Sequence, residues 1–134
     1  MKSFEDLEVW QRSCALSVEI CAQLRTCNDY GLRDQLVRSS ISLPSNIAEG
    51  AERFSQKEFM QFLGYAKGSA GEMRTQIIIA NKLGYFDAAM TQLWIQELKE
   101  ISAMIFGLAR SLGKELQPNY FAAKRPRINL NLNL

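Results

Sequence analysis

Residues 38–50 read Arg38-Ser-Ser-Ile-Ser-Leu-Pro-Ser-Asn-Ile-Ala-Glu-Gly50, so a proline stands inside a helical pattern of apolar residues. Proline lacks the backbone N–H, and its ring clashes with the carbonyl four residues earlier, here that of Ser40, at a cost of roughly 3 kcal/mol. The apolar stripe nevertheless continues on both sides: Leu36, Leu43, Ile47 and Ala51. We therefore expect a helix that bends at Pro44 and continues, with serine hydroxyls of the same stretch bonding the carbonyls that the bend frees.

The composition fits one domain and a body of balanced charge. The chain has 134 residues, with 16 Lys and Arg against 14 Asp and Glu and no histidine. Several cations lie beyond Gly113, so residues 1–113 carry slightly more acidic than basic side chains. This balance argues against a broad phosphate-neutralising surface on the helical body.

Three cysteines, Cys14, Cys21 and Cys27, lack the CxxC spacing of a metal site. Cys14 and Cys21 stand on one helix face, too far apart for a disulfide with each other. We interpret the three as small apolar core residues in a reducing compartment. With no signal segment at its start and no apolar run long enough to cross a bilayer, the sequence predicts a cytoplasmic protein.

The spacing of apolar residues predicts an all-α fold of four helices, with residues 1–113 forming one domain and residues 114–134 a tail. The helices are expected at about residues 4–25, 30–53, 56–83 and 88–112. Short connections favour antiparallel neighbours, and hence a four-helix bundle.

The sharpest local signal lies between the second and third helices. Ser55 and Glu58 form a capping box, and Phe54 and Phe59 are placed to form a hydrophobic staple. The other ends also carry signals: Ser3 with Asp6 before helix one, Gly84 after helix three, Asp87 before helix four, and Gly113 after helix four.

Each predicted helix has an inward stripe. Those of helices three and four are Phe59, Leu63, Ala66, Ala70, Met73, Ile77 and Ala80, and Trp94, Leu98, Ile101, Ile105, Leu108 and Leu112. That of helix one is Leu7, Trp10, Cys14, Cys21 and Leu24, with Ser17 between them. Gly64, Gly68 and Gly71 each weaken helix three by about 1 kcal/mol relative to alanine. We interpret them as sites where a neighbouring helix approaches closely.

The sequence holds more apolar residues than one core needs. Residues 77–80 are consecutive apolar residues, which point nearly all the way round a helix. Others in excess are Phe62, Tyr65, Leu83, Met104, Phe106, Val9 and Leu16. A second apolar face favours homo-oligomerisation, although a broad internal stripe with scattered exposed residues is the alternative.

The tail changes in composition. It contains Lys124, Arg125 and Arg127, then alternates apolar residues with asparagine over residues 128–134. Such alternation has the period of a strand, but a single strand has no sheet to join. Two interpretations stay open: a disordered or weakly docked tail, and a strand added to another copy or to a partner.

These motifs closely resemble a four-helix-bundle family first noticed as open reading frames within intervening sequences of bacterial large-subunit ribosomal RNA genes. The resemblance covers residues 4 to about 112. The hallmark Ser-x-Pro-Ser-Asn-Ile-Ala-Glu-Gly falls on Ser42, Pro44, Ser45, Asn46, Ile47, Ala48, Glu49 and Gly50. Flanking matches include Trp10, Arg38, Arg53, Phe59, Gly68, Glu72, Gly84 and Tyr85.

The resemblance implies a left-handed up-down-up-down bundle that assembles as a ring-shaped homopentamer. A related branch, the accessory variability protein of diversity-generating retroelements, is strongly basic and binds nucleic acid and a reverse transcriptase. This chain departs from that branch because its helical body lacks a positive excess. Its tail also lies outside the family pattern.

The residues give little support to catalysis. Histidine, the common general base and metal ligand, is absent from the sequence. Glu49 and Glu72 are the candidate carboxylates, and we interpret them as structural partners of Arg38 or Arg53. No phosphate-binding loop, nucleophile elbow or paired metal motif occurs. We expect no enzyme activity, cofactor, metal or small-molecule substrate.

The polar stripe of helix two has two interpretations. Gln35, Arg38, Ser42, Ser45 and Glu49 form either a network that fixes packing or a strip that contacts a ligand or RNA. The candidate nucleic-acid contacts are Lys67, Arg74, Lys82, Lys124, Arg125 and Arg127. The function we predict is a non-enzymatic oligomeric binding or scaffold protein that associates with RNA or a protein–RNA complex. A protein–protein adaptor without nucleic-acid binding is the alternative.

Overall fold

A computed structural model of the chain describes residues 3–116. A 3-10 turn, Phe4–Asp6, is followed by four helices: α1 at Glu8–Leu24, α2 at Tyr30–Ala51, α3 at Gln56–Lys82 and α4 at Ala88–Leu116. No strand occurs in this part of the chain. The predicted all-α fold is confirmed, while the predictions for residues 117–134 lie outside the described residues.

The helices pack in chain order, and α1 also packs on α4, which closes the bundle. The direction of α2 against α3 follows from their contacts. Asp29, at the start of α2, accepts a hydrogen bond from Tyr85, just after α3. Farther along α2, Ser39 bonds Gln76. Higher numbers on α2 thus meet lower numbers on α3, so the two helices are antiparallel; the left-handed twist stays a prediction.

One hydrophobic core runs through the bundle. All seven stripe residues predicted for α3 are buried. In α4, Trp94, Leu98, Ile101 and Ile105 are buried, while Leu108 and Leu112 pack at the core edge. These stripes of α3 and α4 lay in long helices with unbroken 3-4 spacing, which is why the pattern identified them.

The stripe predicted for α1 was wrong by about one position. Its buried residues are Val9, Ser13, Leu16, Ser17, Ile20 and Leu24. Val9 and Leu16, which were assigned to the surplus, therefore belong to the core. Trp10, Cys14 and Cys21 are only partly buried and lie on the flank towards α2. Two apolar stripes run along α1, and the sequence pattern alone did not distinguish which one faces inward.

Helix one begins later than predicted. Ser3 and Asp6 do form a capping box, but it caps the 3-10 turn rather than α1. Leu7 follows in an extended conformation, with ψ 120°, and separates the turn from the helix. The error has a local cause, because a capping box specifies only the first turn that follows it.

Other helix ends test the capping signals. Gly84 adopts φ +84°, and Asp87 accepts a hydrogen bond from the Met90 N–H at 2.7 Å, as predicted. Gly113 does not stop α4, which continues to Leu116. Ser55 accepts a hydrogen bond from the Glu58 N–H, so the predicted cap is confirmed. The staple is wrong, because Phe54 is fully exposed, with a relative exposure of 106%.

Pro44 lies inside α2, as predicted, and α1 supplies the compensation for its missing N–H. The freed carbonyl of Ser40 accepts a hydrogen bond from the hydroxyl of Ser17 on α1. The serines of α2 bond other carbonyls: Ser39 that of Leu36 and Ser40 that of Val37. The proline thus leaves an acceptor that a residue of the neighbouring helix satisfies, which joins α1 to α2.

The interpretation of the α3 glycines as close helix contacts is wrong within one chain. A Cβ built on Gly64, Gly68 or Gly71 would meet no atom within 4 Å. The close contact lies instead at Gly50 of α2, where a Cβ would come within 2.6 Å of the Phe62 Cβ. The hallmark ends in glycine because α3 passes there.

Candidate functional surfaces

The hallmark residues divide between the core and the surface. Ile47 is fully buried, and the Asn46 amide donates to both the carbonyl and the hydroxyl of Ser42, each at 2.9 Å. The Arg53 guanidinium pairs with the Glu49 carboxylate at 2.8 Å, as predicted. Ser45 is exposed and Ala48 half-buried. These contacts give most of the hallmark a packing role.

A polar groove of about 380 Å³ lies between α2 and α3. It is lined by Gln35, Arg38, Ser39, Ser42, Ser69, Glu72 and Gln76. Hydroxyl contacts cross it, with Ser69 donating to Ser42 at 3.0 Å and Ser39 donating to the Gln76 side-chain oxygen at 2.6 Å. The groove therefore joins α2 to α3, which agrees with the interpretation of the stripe as a packing network.

The two charged residues of the polar groove do not pair with each other. Arg38 and Glu72 are both exposed, and neither forms an ion pair within residues 3–116. The predicted partnership of Glu49 therefore holds with Arg53, and that of Glu72 is wrong in the single chain. No group of three His, Cys, Asp or Glu residues in the described part of the chain could hold a metal.

The charges of α3 are sorted between its two flanks. Successive side chains turn by about 100°, so positions can be placed from the contacts of Ser69 and Gln76 with α2. Glu58 and Glu72 fall on that flank. The cations fall on the solvent side and the opposite flank, towards α4: Lys57, Lys67, Arg74 and Lys82.

The acidic and basic residues of α4 also lie on different sides of the helix. Glu97 and Glu100 pair with Arg12 and thus mark the flank towards α1. Its cations point away from the core: Lys99 and Arg110 lie on the side towards α3, and Lys114 faces solvent. The outer surface of α3 and α4, here called the cationic face, carries these seven cations and no carboxylate of residues 56–114. None of the seven forms an ion pair within the described residues.

Three glycines and three of the predicted nucleic-acid contacts lie on the cationic face. Gly64, Gly68 and Gly71 lie among the cations of α3, where their lack of side chains leaves the helix backbone open. Lys67 and Lys82 are exposed, whereas Arg74 is half-buried and its Nε has no hydrogen-bond partner among the described residues. Three of these cations were predicted from the sequence as nucleic-acid contacts, but their separation from the acidic residues was not.

The outer surface of α1 and α2 is apolar. It combines the second stripe of α1 with apolar residues of α2: Trp10, Cys14, Val18, Cys21, Val37 and Ile41. Val18 and Ile41 are 69% and 52% exposed. Burial raises the pKa of the Cys14 thiol. This apolar face lies across the bundle from the cationic face, and it accounts for part of the predicted apolar surplus.

The surface between α1 and α4 is acidic. Arg12 donates to Glu97 at 2.7 Å and also pairs with Glu8 and Glu100. Hydrogen bonding to Glu97 raises the pKa of Arg12, so its guanidinium stays charged. No helix in the part of the chain that the structure describes is long and apolar enough to span a membrane.

Comparison with known proteins agrees with the hallmark and the fold. The family model described as 23S rRNA-intervening sequence protein matches residues 5–107. The chain belongs to this family. A solved structure from Bacteroides thetaiotaomicron, described as a protein with unknown function from the S23 ribosomal protein family, superposes with a TM-score of 0.71 at 19% identity. The match covers 76% of this intervening-sequence protein and 95% of that chain. No curated protein matches.

Proposed function

We propose that this intervening-sequence protein is a non-enzymatic helical scaffold that forms a homopentamer and associates with RNA or a protein–RNA complex. The observation that carries the RNA proposal is the cationic face. None of its seven Lys and Arg side chains forms an ion pair with a carboxylate of the described residues. Phosphate groups are the ligands that neutralise such a surface, because binding releases their condensed counterions.

The near-zero net charge of the helical body is compatible with RNA binding, because the unpaired cations are concentrated on α3 and α4. Three of the five arginines in residues 8–53, Arg12, Arg33 and Arg53, have a carboxylate within 4.0 Å. The cations of α3 and α4 have none among the described residues. A local field of one sign attracts polyanions even when the total charge is near zero.

The test uses a Lys67→Glu, Lys99→Glu double variant, with a 30-nucleotide fluorescent RNA hairpin as the probe. Both lysines are exposed and have no partner that the change would break. We expect affinity at physiological salt to fall about tenfold or more, and the slope of log affinity against log salt to become shallower by about 2. Anisotropy titrations across a salt series measure both.

Arg25→Glu is the matched control, because Arg25 is exposed but lies at the end of α1, away from the cationic face. It changes the net charge in the same sense and should leave most of the affinity intact. If the wild-type protein does not bind the RNA, or if the control weakens binding as much as the double variant, the cationic face is not an RNA site.

The pentamer proposal is supported by the apolar face. A monomer that leaves Val18 and Ile41 mostly exposed, beside partly exposed Trp10, gains by covering them. The intracellular placement that we propose is supported by the three cysteines, which are all free.

A protein–protein adaptor without RNA binding is the second candidate. Phe54, fully exposed at the turn between α2 and α3, favours it, since an aromatic side chain projecting from a tight turn suits a pocket on another protein. Tyr65, 50% exposed, and Phe62 form a T-shaped ring pair on the adjoining part of α3. Retained oligomers that bind no RNA at any salt concentration would favour this function.

A further inference from the structure

A groove between α1 and α4 is the surface that neither the core nor the proposed RNA contact uses. It encloses about 290 Å³. Its apolar wall includes Leu16, Leu93 and Trp94, and Arg12, Glu19 and Glu97 line it as well. Leu93 is 71% exposed. This acidic groove is open to solvent and apolar in its depth.

The acidic groove carries an uncompensated negative charge. Glu8, Glu97 and Glu100 all lie within 4.0 Å of Arg12, and Glu19 lines the cavity. Three carboxylates thus lie at one guanidinium and a fourth lines the cavity, so this flank has an excess of three negative charges. One arginine cannot satisfy them, and α1 and α4 offer no other cation on this flank among the described residues. A segment carrying about three cations would complement the groove.

A second, independent observation concerns Trp94. Its side chain is 2% exposed, yet its indole Nε1 has no hydrogen-bond partner among the described residues. A buried N–H without an acceptor costs about 1–3 kcal/mol. Trp94 also forms part of the groove wall, so a shift of the indole ring would bring this N–H to a backbone or amide oxygen of a peptide lying there.

We propose that residues 124–134 of the same chain occupy the acidic groove. This segment reads Lys124-Arg-Pro-Arg-Ile-Asn-Leu-Asn-Leu-Asn-Leu134. It brings three cations against an excess of three negative charges. In an extended peptide, alternate side chains point the same way, so its Ile and Leu side chains face the apolar wall while the asparagines stay outside.

The length of the connecting segment fits this placement. α4 forms one wall of the groove and ends at Leu116, so the tail needs only to turn back along its own helix. Glu100 lies about 24 Å from Leu116 at 1.5 Å per residue. Residues 117–124 span about 26 Å when extended, and residues 117–127 about 36 Å. At this extension the cations reach the level of Glu100 and Glu97. The first apolar residue, Ile128, reaches that of Leu93, about 35 Å from Leu116, and the last residues of the tail extend past it.

Docking of this kind gives the tail cations a use other than RNA contact. Lys124, Arg125 and Arg127 cannot neutralise Glu19 and Glu100 and RNA phosphates at the same time. The proposal is separate from the proposed function, because the acidic groove and the cationic face lie on different sides of α4. It holds whether or not the cationic face binds RNA.

Zero-length carbodiimide cross-linking tests the placement in the full-length protein, because it joins only an amine and a carboxylate already in contact. We expect Lys124 to cross-link to Glu97 or Glu100, and the yield to fall in 1 M salt. An equal mixture of ¹⁴N- and ¹⁵N-labelled protein identifies the occupant. Cross-links within one isotope support docking on the same chain, whereas mixed-isotope cross-links contradict it.

Trypsin supplies the matched experiment with variants. It cleaves after Lys124 and Arg127, and a docked tail is cut only while it is open. In Glu19→Lys, Glu100→Lys the cleavage rate should rise about tenfold over wild type, while Glu52→Lys, an exposed acid at the end of α2, should leave it unchanged. Equal rates in wild type and the double variant, or Lys124 cross-links to Glu52 as frequent as those to the groove, would overturn the proposal.

Discussion

At the scale of single residues, Gly50 shows what the end of the hallmark requires. A Cβ at this position would lie 2.6 Å from the Phe62 Cβ and 3.2 Å from the Phe59 carbonyl oxygen, both fixed parts of α3. Gly50→Ala is therefore expected to push α2 from α3 and lower the free energy of unfolding by about 1–3 kcal/mol. Urea denaturation followed by circular dichroism measures it.

Gly68 is the matched control for Gly50. It also lies in a helix, but a Cβ there meets no atom within 4 Å. Gly68→Ala should therefore raise the free energy of unfolding by up to about 1 kcal/mol, through helix propensity alone. Equal effects of the two substitutions would mean that the contact of Gly50 with α3 does not limit this position.

At the scale of helices, the joint between α1 and α2 depends on a pair of residues. Pro44 withholds the N–H that the Ser40 carbonyl would otherwise accept, and Ser17 supplies the replacement. Ser17→Ala should lower the free energy of unfolding by about 1–3 kcal/mol, because it leaves a buried acceptor unpaired. In a Pro44→Ala background the Ala N–H can bond Ser40, so the same substitution should cost about 1 kcal/mol less.

A double-mutant cycle, with each variant unfolded in urea, measures this coupling. If the two changes in the free energy of unfolding simply add, the Ser17 hydroxyl does not replace the N–H that Pro44 lacks. Circular dichroism of Pro44→Ala provides a separate check, since the helical content of α2 should survive the loss of the proline.

The helices also show how far the sequence predicts this fold. For α3 and α4, apolar residues at 3-4 spacing were bounded by polar or glycine positions, and every predicted core residue packs inward. For α1, Trp10 and Cys14 continue a second stripe beside that of Val9 and Leu16. Periodicity gives the angle between stripes, but the choice between them depends on where α2 and α4 pack, which is tertiary information.

The candidate surfaces were predicted less completely for a similar reason. Lys67, Arg74 and Lys82 were identified singly, and the net charge of the body argued against them. Placing Lys99 and Arg110 beside them requires the packing of α4 on α3. Gly68 was likewise predicted to contact a neighbouring helix. The spacing of residues predicts where a position lies on a helix, but it does not predict which side of that helix is exposed to solvent. The bond from Ser17 to Ser40 had no sequence signal, because it joins two helices.

At the scale of the whole molecule, the bundle has four unlike sides. The cationic face, the acidic groove, the apolar face and the polar groove follow one another around it, and each presents different chemistry. An apolar side opposite a cationic one allows copies to assemble through the first while the second stays open to RNA. This arrangement makes the proposed contact between copies and the proposed RNA contact separable by substitution.

Ile41→Glu is the substitution that tests this separation. It places a charge at a 52% exposed position of the apolar face, away from the core, so the helical content should be unchanged.

Five copies of the 15.2 kDa chain have a mass of about 76 kDa. We expect light scattering to give about that mass for the wild type and a clearly smaller one for Ile41→Glu, because a buried unpaired carboxylate at an interface costs several kcal/mol. Phe54→Glu, at a fully exposed site elsewhere, should keep the wild-type mass. A wild type that is already monomeric, or an Ile41→Glu variant of unchanged mass, would exclude the apolar face as the contact between copies.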